Sequence, residues 1–219
     1  MSTQPAILNV DEVTTALQSL PDWRRRLGGL HTVYHALSSV DAVELMYRIG
    51  QVANELDHHP DLDWRYDHVF VRTSTHSAGS KITAKDIELA TRISTLAAHI
   101  GASAEPEKFR TVEIGVDTTD PEAITQTWSE ALGYRNKDGE LRDPWGRGPS
   151  VWFQKTPTPD ASRLHLDIWV EDATADDVLV EAEKAGASRL DERFHPTFTV
   201  IADDDGNRFC ICTALGRSH

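Results

Sequence analysis

The residues best suited to chemistry sit together in Glu55-Leu56-Asp57-His58-His59-Pro60, followed by Tyr66 and by Thr75-His76. Imidazole titrates near neutral pH, so three histidines in one segment suit proton transfer at pH 7. A dehydration needs that chemistry. One group protonates a departing hydroxide, and another removes the proton whose loss forms the new double bond. No nucleophile, metal or cofactor is expected for such a step. Pro60 pushes His59 toward an extended backbone, which turns the adjacent rings to different sides. A three-histidine zinc site is therefore the weaker alternative. Adjacent histidines at a helix end also serve as plain C-terminal caps favoured by the helix dipole. These residues alone leave that reading open.

The elements that must position them can be read from periodicity. Asp11–Leu20 has Val13, Ala16, Leu17 and Leu20 at helical spacing, and Pro21 ends it. Trp23–Leu27 and Leu30–Leu37 flank Gly28-Gly29, a hairpin signal. Ser38 with Asp41 resembles a capping box for a helix to about Leu56, with Val43 (or Ala42), Met46, Ile49, Ala53 and Leu56 on its core face. Tyr66–His76 alternates as a strand, and Thr83 with Asp86 opens a last helix through Ile100. The order α-ββ-α-β-α predicts an α+β fold rather than a parallel sheet.

The chain of 219 residues allows one or two domains. Histidine usage favours two: seven of ten lie before Glu105, and six of those fall between His31 and His76. Gly101–Phe109 is small, polar and proline-containing, which suits a linker, and the expected domains are residues 1–104 and 105–219. The net charge of −13 argues against nucleic-acid binding. Residues 106–219 hold 22 acids and 13 bases, net −9 of that total. No apolar run is long enough for a membrane span, and the Met-Ser-Thr-Gln-Pro start lacks a signal-peptide pattern, so a cytoplasmic home is expected. Cys210 and Cys212 are too close for a good bridge and read as reduced thiols.

Leu56 to Thr75 resembles the signature of the pterin-4a-carbinolamine dehydratases, also called 4a-hydroxytetrahydrobiopterin dehydratases. The matching residues are His58-His59-Pro60, Tyr66, Val69, Thr75-His76, Gly79 and Thr83-Ala84-Lys85-Asp86, with Leu20-Pro21-Asp22-Trp23 upstream. The resemblance covers roughly residues 7–100. It implies an antiparallel sheet backed by helices, usually in a homo-oligomer. It also implies a pterin substrate, 4a-hydroxytetrahydropterin, dehydrated to the quinonoid dihydropterin. His58, His59 and His76 would be the acid/base histidines. Trp23 would lie near the substrate and Asp86 at the rim of the site, with Asp57, Pro60, Ser74 and Thr75 completing the substrate-binding set. Three departures stand out: Asn54 where the family often has an acid, Leu62 where it often has an aromatic (Trp64 being displaced), and one extra residue near Ser80-Lys81.

The second half contains an echo. Val112–Val116 and Leu166–Val170 are each followed by an acidic helix start, an Ala/Gly stop and strand-like material, Ser150–Lys155 in one copy and Phe198–Thr213 in the other. That is a duplicated β-α-β-β module. Asp120-Pro121, Trp128, Ala131-Leu132-Gly133, Leu164-His165-Leu166-Asp167, Ala185-Gly186 and Asp205-Gly206-Asn207 resemble the glyoxalase-like branch of the vicinal oxygen chelate superfamily. The resemblance implies a duplicated β-α-β-β-β fold and maps its metal-ligand positions to Thr111, Gln154, His165 and Cys210. Those types do not suit a divalent ion, so a catalytically quiet domain is expected. Trp145, Trp152, Phe153, Trp169, Phe194 and Phe198 line an aromatic pocket or pack in the core. Asp203-Asp204-Asp205-Gly206-Asn207 reads as a hairpin turn.

Two other functions fit the sequence. In one, the C-terminal cleft binds a flat aromatic ligand or a pterin while the N-terminal domain oligomerises the chain. In the other, the second domain is a metal-dependent glyoxalase or dioxygenase.

Overall fold

A computed structural model describes residues 5–158 and 163–217. The chain forms two compact units, one running to Phe109 with Arg217 added, the other Arg110–Gly216. The division falls just past the expected 104/105 boundary. The Glu105 amide donates to the Val33 carbonyl, and the Phe109 ring packs edge-on against His31, so both belong to the first unit.

The first unit is α+β. Its elements are α1 (Val10–Leu17), β1 (Arg24–Arg26), β2 (Gly29–His35), α2 (Ser39–Leu56), β3 (Asp61–Arg65), β4 (His68–Thr73), α3 (Ala84–Ile100) and β5 (Ser103–Ala104). The strands run β1-β2-β4-β3, all antiparallel, and β5 pairs with the end of β2. Alternation sends Leu30 and Tyr34 of β2, and Val69 and Val71 of β4, to one face. There they meet Ala42, Leu45, Ile49 and Val52 of α2 and Leu89, Ala90, Ile93 and Ala97 of α3 in a single core. Burying each of the larger side chains contributes about 1.5–3 kcal/mol.

Three local expectations change. The two-residue turn of the first hairpin is Leu27-Gly28, both at positive φ, and Gly29 already belongs to β2. A side chain at Gly29 would meet the Thr73 carbonyl at 3.1 Å. Tyr66–His76 is not one strand: Tyr66 turns at φ 55° between β3 and β4, and His76 lies in a short 3₁₀ turn, His76–Ala78. On α2 the residue inside is Ala42, whereas Val43 faces out.

The second unit is one eight-stranded sheet with helices on one face. Its first module is β6 (Thr111–Thr118), α4 (Pro121–Leu132), β7 (Arg135–Lys137), β8 (Glu140–Arg142) and β9 (Ser150–Lys155). Its second is β10 (Leu164–Trp169), α5 (Ala175–Lys184), β11 (Ser188–Asp191), β12 (Phe198–Ala202) and β13 (Arg208–Cys212). The order is β11-β12-β13-β10-β6-β9-β8-β7. β6 and β10 meet antiparallel at the centre, and each runs parallel to the last strand of its own module. This is the expected β-α-β-β-β duplication. The hairpin between β12 and β13 is held by Asp203, whose side chain accepts from the Asp205 and Asn207 amides.

Candidate active site

The end of α2 is shaped by its own sequence. Asp57 turns into the left-handed region at φ 45°, and the His58 amide bonds back to the Ala53 carbonyl. His58 is thereby folded inward and buried, while His59 remains exposed. The two rings do go different ways.

Beneath His58 lies Asp86. One carboxylate oxygen is 2.7 Å from His58 Nε2 and accepts from the Thr73 hydroxyl at 2.7 Å. The other accepts from the Thr75 hydroxyl at 2.7 Å and the Thr83 amide at 2.8 Å. The last bond closes the expected capping box of α3. Burial pushes the Asp86 carboxyl up, but hydrogen bonds from His58, Thr73, Thr75 and the Thr83 amide together outweigh it, and it ends below the ordinary range. A carboxylate in that state fixes the ring of His58.

Asp86 is therefore not at a rim; it is fully buried under His58. Trp23 is likewise a core residue, 1% exposed, with its indole nitrogen donating to Ser94 at 3.0 Å. It packs in the core of the first unit. Thr75 and Ser74 are buried, and the Ser74 hydroxyl has no hydrogen-bond partner among the described residues. Asp57 is exposed, with its carbonyl accepting from Lys85, and Pro60 is half-buried. Thr73 was not singled out in the sequence. The alternation Val69-Val71-Thr73 could have placed it on the helix side.

His59 Nε2 lies 3.0 Å from the side-chain oxygen of Asn54. His76 is exposed and directly follows Thr75, whose hydroxyl shares Asp86 with His58. The loop after it closes on Thr75: the Thr75 amide donates to the Lys81 carbonyl, and the Ser80 amide to the Thr75 carbonyl. One buried and two exposed imidazoles thus belong to one end of the unit.

In the second unit the sheet face away from the helices is polar. Register puts Glu113 opposite Asp167, Gly115 opposite His165 and Thr111 opposite Trp169, with Trp152 beside Gly115, Gln154 beside Asp117 and Cys210 beside Asp167. Glu113 accepts from Trp169 Nε1 and Ser150 Oγ, each at 2.7 Å. Trp152 donates to Asp167, and its ring meets His165 edge-on at 5.3 Å. Burial pushes the Glu113 carboxyl up; bonds from Ser150 and Trp169 oppose this, and the charges of Glu140 and Asp167 add to it. Thr111, Gln154, His165 and Cys210 share this face, but His165 pairs with Asp167 and Trp152. Cys210 and Cys212 are buried thiols with no disulfide. The aromatic set divides: Phe153 packs on the helix side, Trp145 is exposed, and Phe194 stacks on Phe198.

Comparison with known proteins agrees with this division. Residues 6–96 match the family described as Pterin 4 alpha carbinolamine dehydratase, and residues 113–212 match a Glyoxalase-like domain. A Streptomyces coelicolor protein provisionally named a pterin-4-alpha-carbinolamine dehydratase is 42% identical over 95 residues, 43% of this chain and 94% of its own length. A Nocardia farcinica protein of the same name is 41% identical over 91 residues, 42% of this chain and 95% of its own. A Brucella melitensis structure titled transcriptional coactivator/pterin dehydratase aligns with a TM-score of 0.41 and 26% identity, over 42% of this chain and 99% of that one. Through its first unit the chain belongs to the pterin-4a-carbinolamine dehydratase family. No helix among the described residues is long and apolar enough to cross a membrane.

Proposed function

We propose that the chain is a hydro-lyase that dehydrates a 4a-hydroxytetrahydropterin to the quinonoid dihydropterin by histidine acid/base catalysis. The observation that carries this reading is the buried Asp86–His58 pair at 2.7 Å, set beside the exposed His59 and His76. One imidazolium protonates the hydroxyl at the 4a carbon, and the C–O bond breaks to release water. A neutral imidazole removes a ring N–H proton, and that electron pair closes the new double bond. Proton transfer by positioned side chains contributes about 10²–10⁴-fold each. His59 and His76 are exposed, and His58 is turned inward against Asp86. Asn54 orients His59 without the charge an acid would bring.

The test is conversion of a 4a-hydroxypterin by the wild type and by His58→Ala, His59→Ala and His76→Ala. Large rate losses in the variants support the reading; four equal rates overturn it.

A homo-oligomer is part of the proposal. Leu37 precedes α2, and Val40, Val43 and Tyr47 follow at helical spacing, all exposed on the side of α2 away from the core. Such a stripe fits a second copy of the same chain. Val43→Lys with Tyr47→Lys should reduce the mass seen by sedimentation, and an unchanged mass would remove this contact.

We assign the second unit a non-catalytic role. The polar face carrying Glu113, Trp152, His165 and Asp167 favours a second reading, in which it binds a small flat ligand. Pterin affinity that falls in Trp152→Ala but not in His59→Ala would favour that binding role.

A further inference from the structure

On the face of the first sheet turned away from the helices, register gathers a second group of histidines. His35 and His68 are directly opposed in the β2–β4 ladder, and their rings stack with centroids 4.4 Å apart. β5 pairs Ser103 with His35, so Glu105, two residues on, returns to the same face. One ligating atom from each of His35, His68 and Glu105 lies within 4.8 Å of the other two. Glu105 is 3.7 Å from His35 Nδ1 and 3.2 Å from His68 Nε2.

Asp67 stands on the outer side of both rings. It is 2.6 Å from His68 Nδ1 and 3.3 Å from His35 Nε2. A carboxylate on the outer ring nitrogen fixes the tautomer and leaves the lone pair of the inner nitrogen pointing toward its partners. Metal-bound histidines are backed in this way. The group already attracts a cation. Lys108 Nζ lies 2.5 Å from Glu105 and 3.2 Å from His68 Nε2. Lys108 is about half exposed, so its long side chain can swing to solvent.

We propose that His35, His68 and Glu105 form a divalent transition-metal site, with Zn²⁺ as the ion that fits and Lys108 as the cation it displaces. Two imidazoles and one carboxylate suit zinc, and three protein ligands leave a fourth position for water. Magnesium and calcium prefer all-oxygen sets and are not expected here. A bound Zn²⁺ would draw the three ligating atoms to about 2.0–2.2 Å from itself. The site is separate from the dehydratase site: the alternation that sends Thr73 toward His58 and Asp86 sends His68 to the other face. A bound ion would tie β2, β4 and the segment after β5 together.

The test uses the full chain, stripped with chelator and titrated with Zn²⁺ by calorimetry, with Co²⁺ absorption as a second readout of coordination. One tight equivalent is expected. His35→Ala and His68→Ala should each weaken it at least about tenfold, while His59→Ala and His76→Ala keep it. Lys108→Met should tighten binding, a gain that misfolding cannot mimic. Absence of a stoichiometric Zn²⁺, equal affinity in the wild type and His35→Ala/His68→Ala, or weaker binding in Lys108→Met would each overturn the proposal.

Discussion

Asp86 in the first unit and Glu113 in the second are both buried carboxyls, 0% and 9% exposed, yet they are pushed in opposite directions. Burial opposes ionisation in both. Asp86 faces His58, two threonine hydroxyls and a backbone amide, and these outweigh it. Among the described residues, Glu113 has Ser150 and Trp169 as donors, with Glu140 and Asp167 as acidic neighbours. Depth alone does not set the charge of a buried acid; the number and sign of the groups aimed at it do. The first arrangement holds a carboxylate against a histidine. The second holds a carboxyl closer to neutral on a polar sheet face.

The contrast can be broken most forcefully by substitution. Asp86→Ala leaves His58, Thr73 and Thr75 without their acceptor, and breaking a buried pair costs about 3–5 kcal/mol. Glu113→Gln keeps shape and an acceptor, so its cost should stay near about 1 kcal/mol. Denaturant midpoints measure both, and equal losses would erase the distinction.

Next in size is a Cβ added at Gly115, which would lie 2.3 Å from the His165 ring. Gly115→Ala should rotate His165 off Trp152 and cost about 1–3 kcal/mol. Unmoved His165 ring resonances in NMR spectra would contradict this.

Acid and base should then separate the two carboxyls. The folded value of Asp86 lies below its unfolded one. Its contribution is present above the unfolded value and is lost as pH falls through the lowered one. Glu113 behaves in reverse: its contribution is complete below the unfolded value and is lost as pH rises through the raised one. Stability profiles of the wild type and Glu113→Gln should differ on the rising side only. A difference confined to the acid side would reverse the assignment.

The smallest effect belongs to the surface. Asn54→Asp gives His59 a charged partner worth about 0.2–1 kcal/mol and should raise its pKa, read directly by titrating the ring.

Local signals were the ones legible in the sequence. Ser38 and Thr83 both cap their helices, because a cap is decided within one turn, but the reciprocal box expected at each closes only at Thr83. The His-His-Pro end and the internal echo were legible for the same reason. β3 was missed because Asp61, Asp63 and Arg65 surround its two apolar residues and the strand lies at the sheet edge. The burial of Trp23 and Asp86 is not legible in the sequence for a different reason. Their roles depend on partners far away in the chain, Ser94 for one and Thr73 with His58 for the other. Periodicity carries no record of such meetings.

One oxygen of Asp86 receives both the Thr83 amide that begins α3 and the Thr75 hydroxyl beside His76. Fraying of that first helical turn and loss of the support under His58 are therefore a single event. Hydrogen exchange at the Thr83 amide should therefore report how often the support under His58 opens.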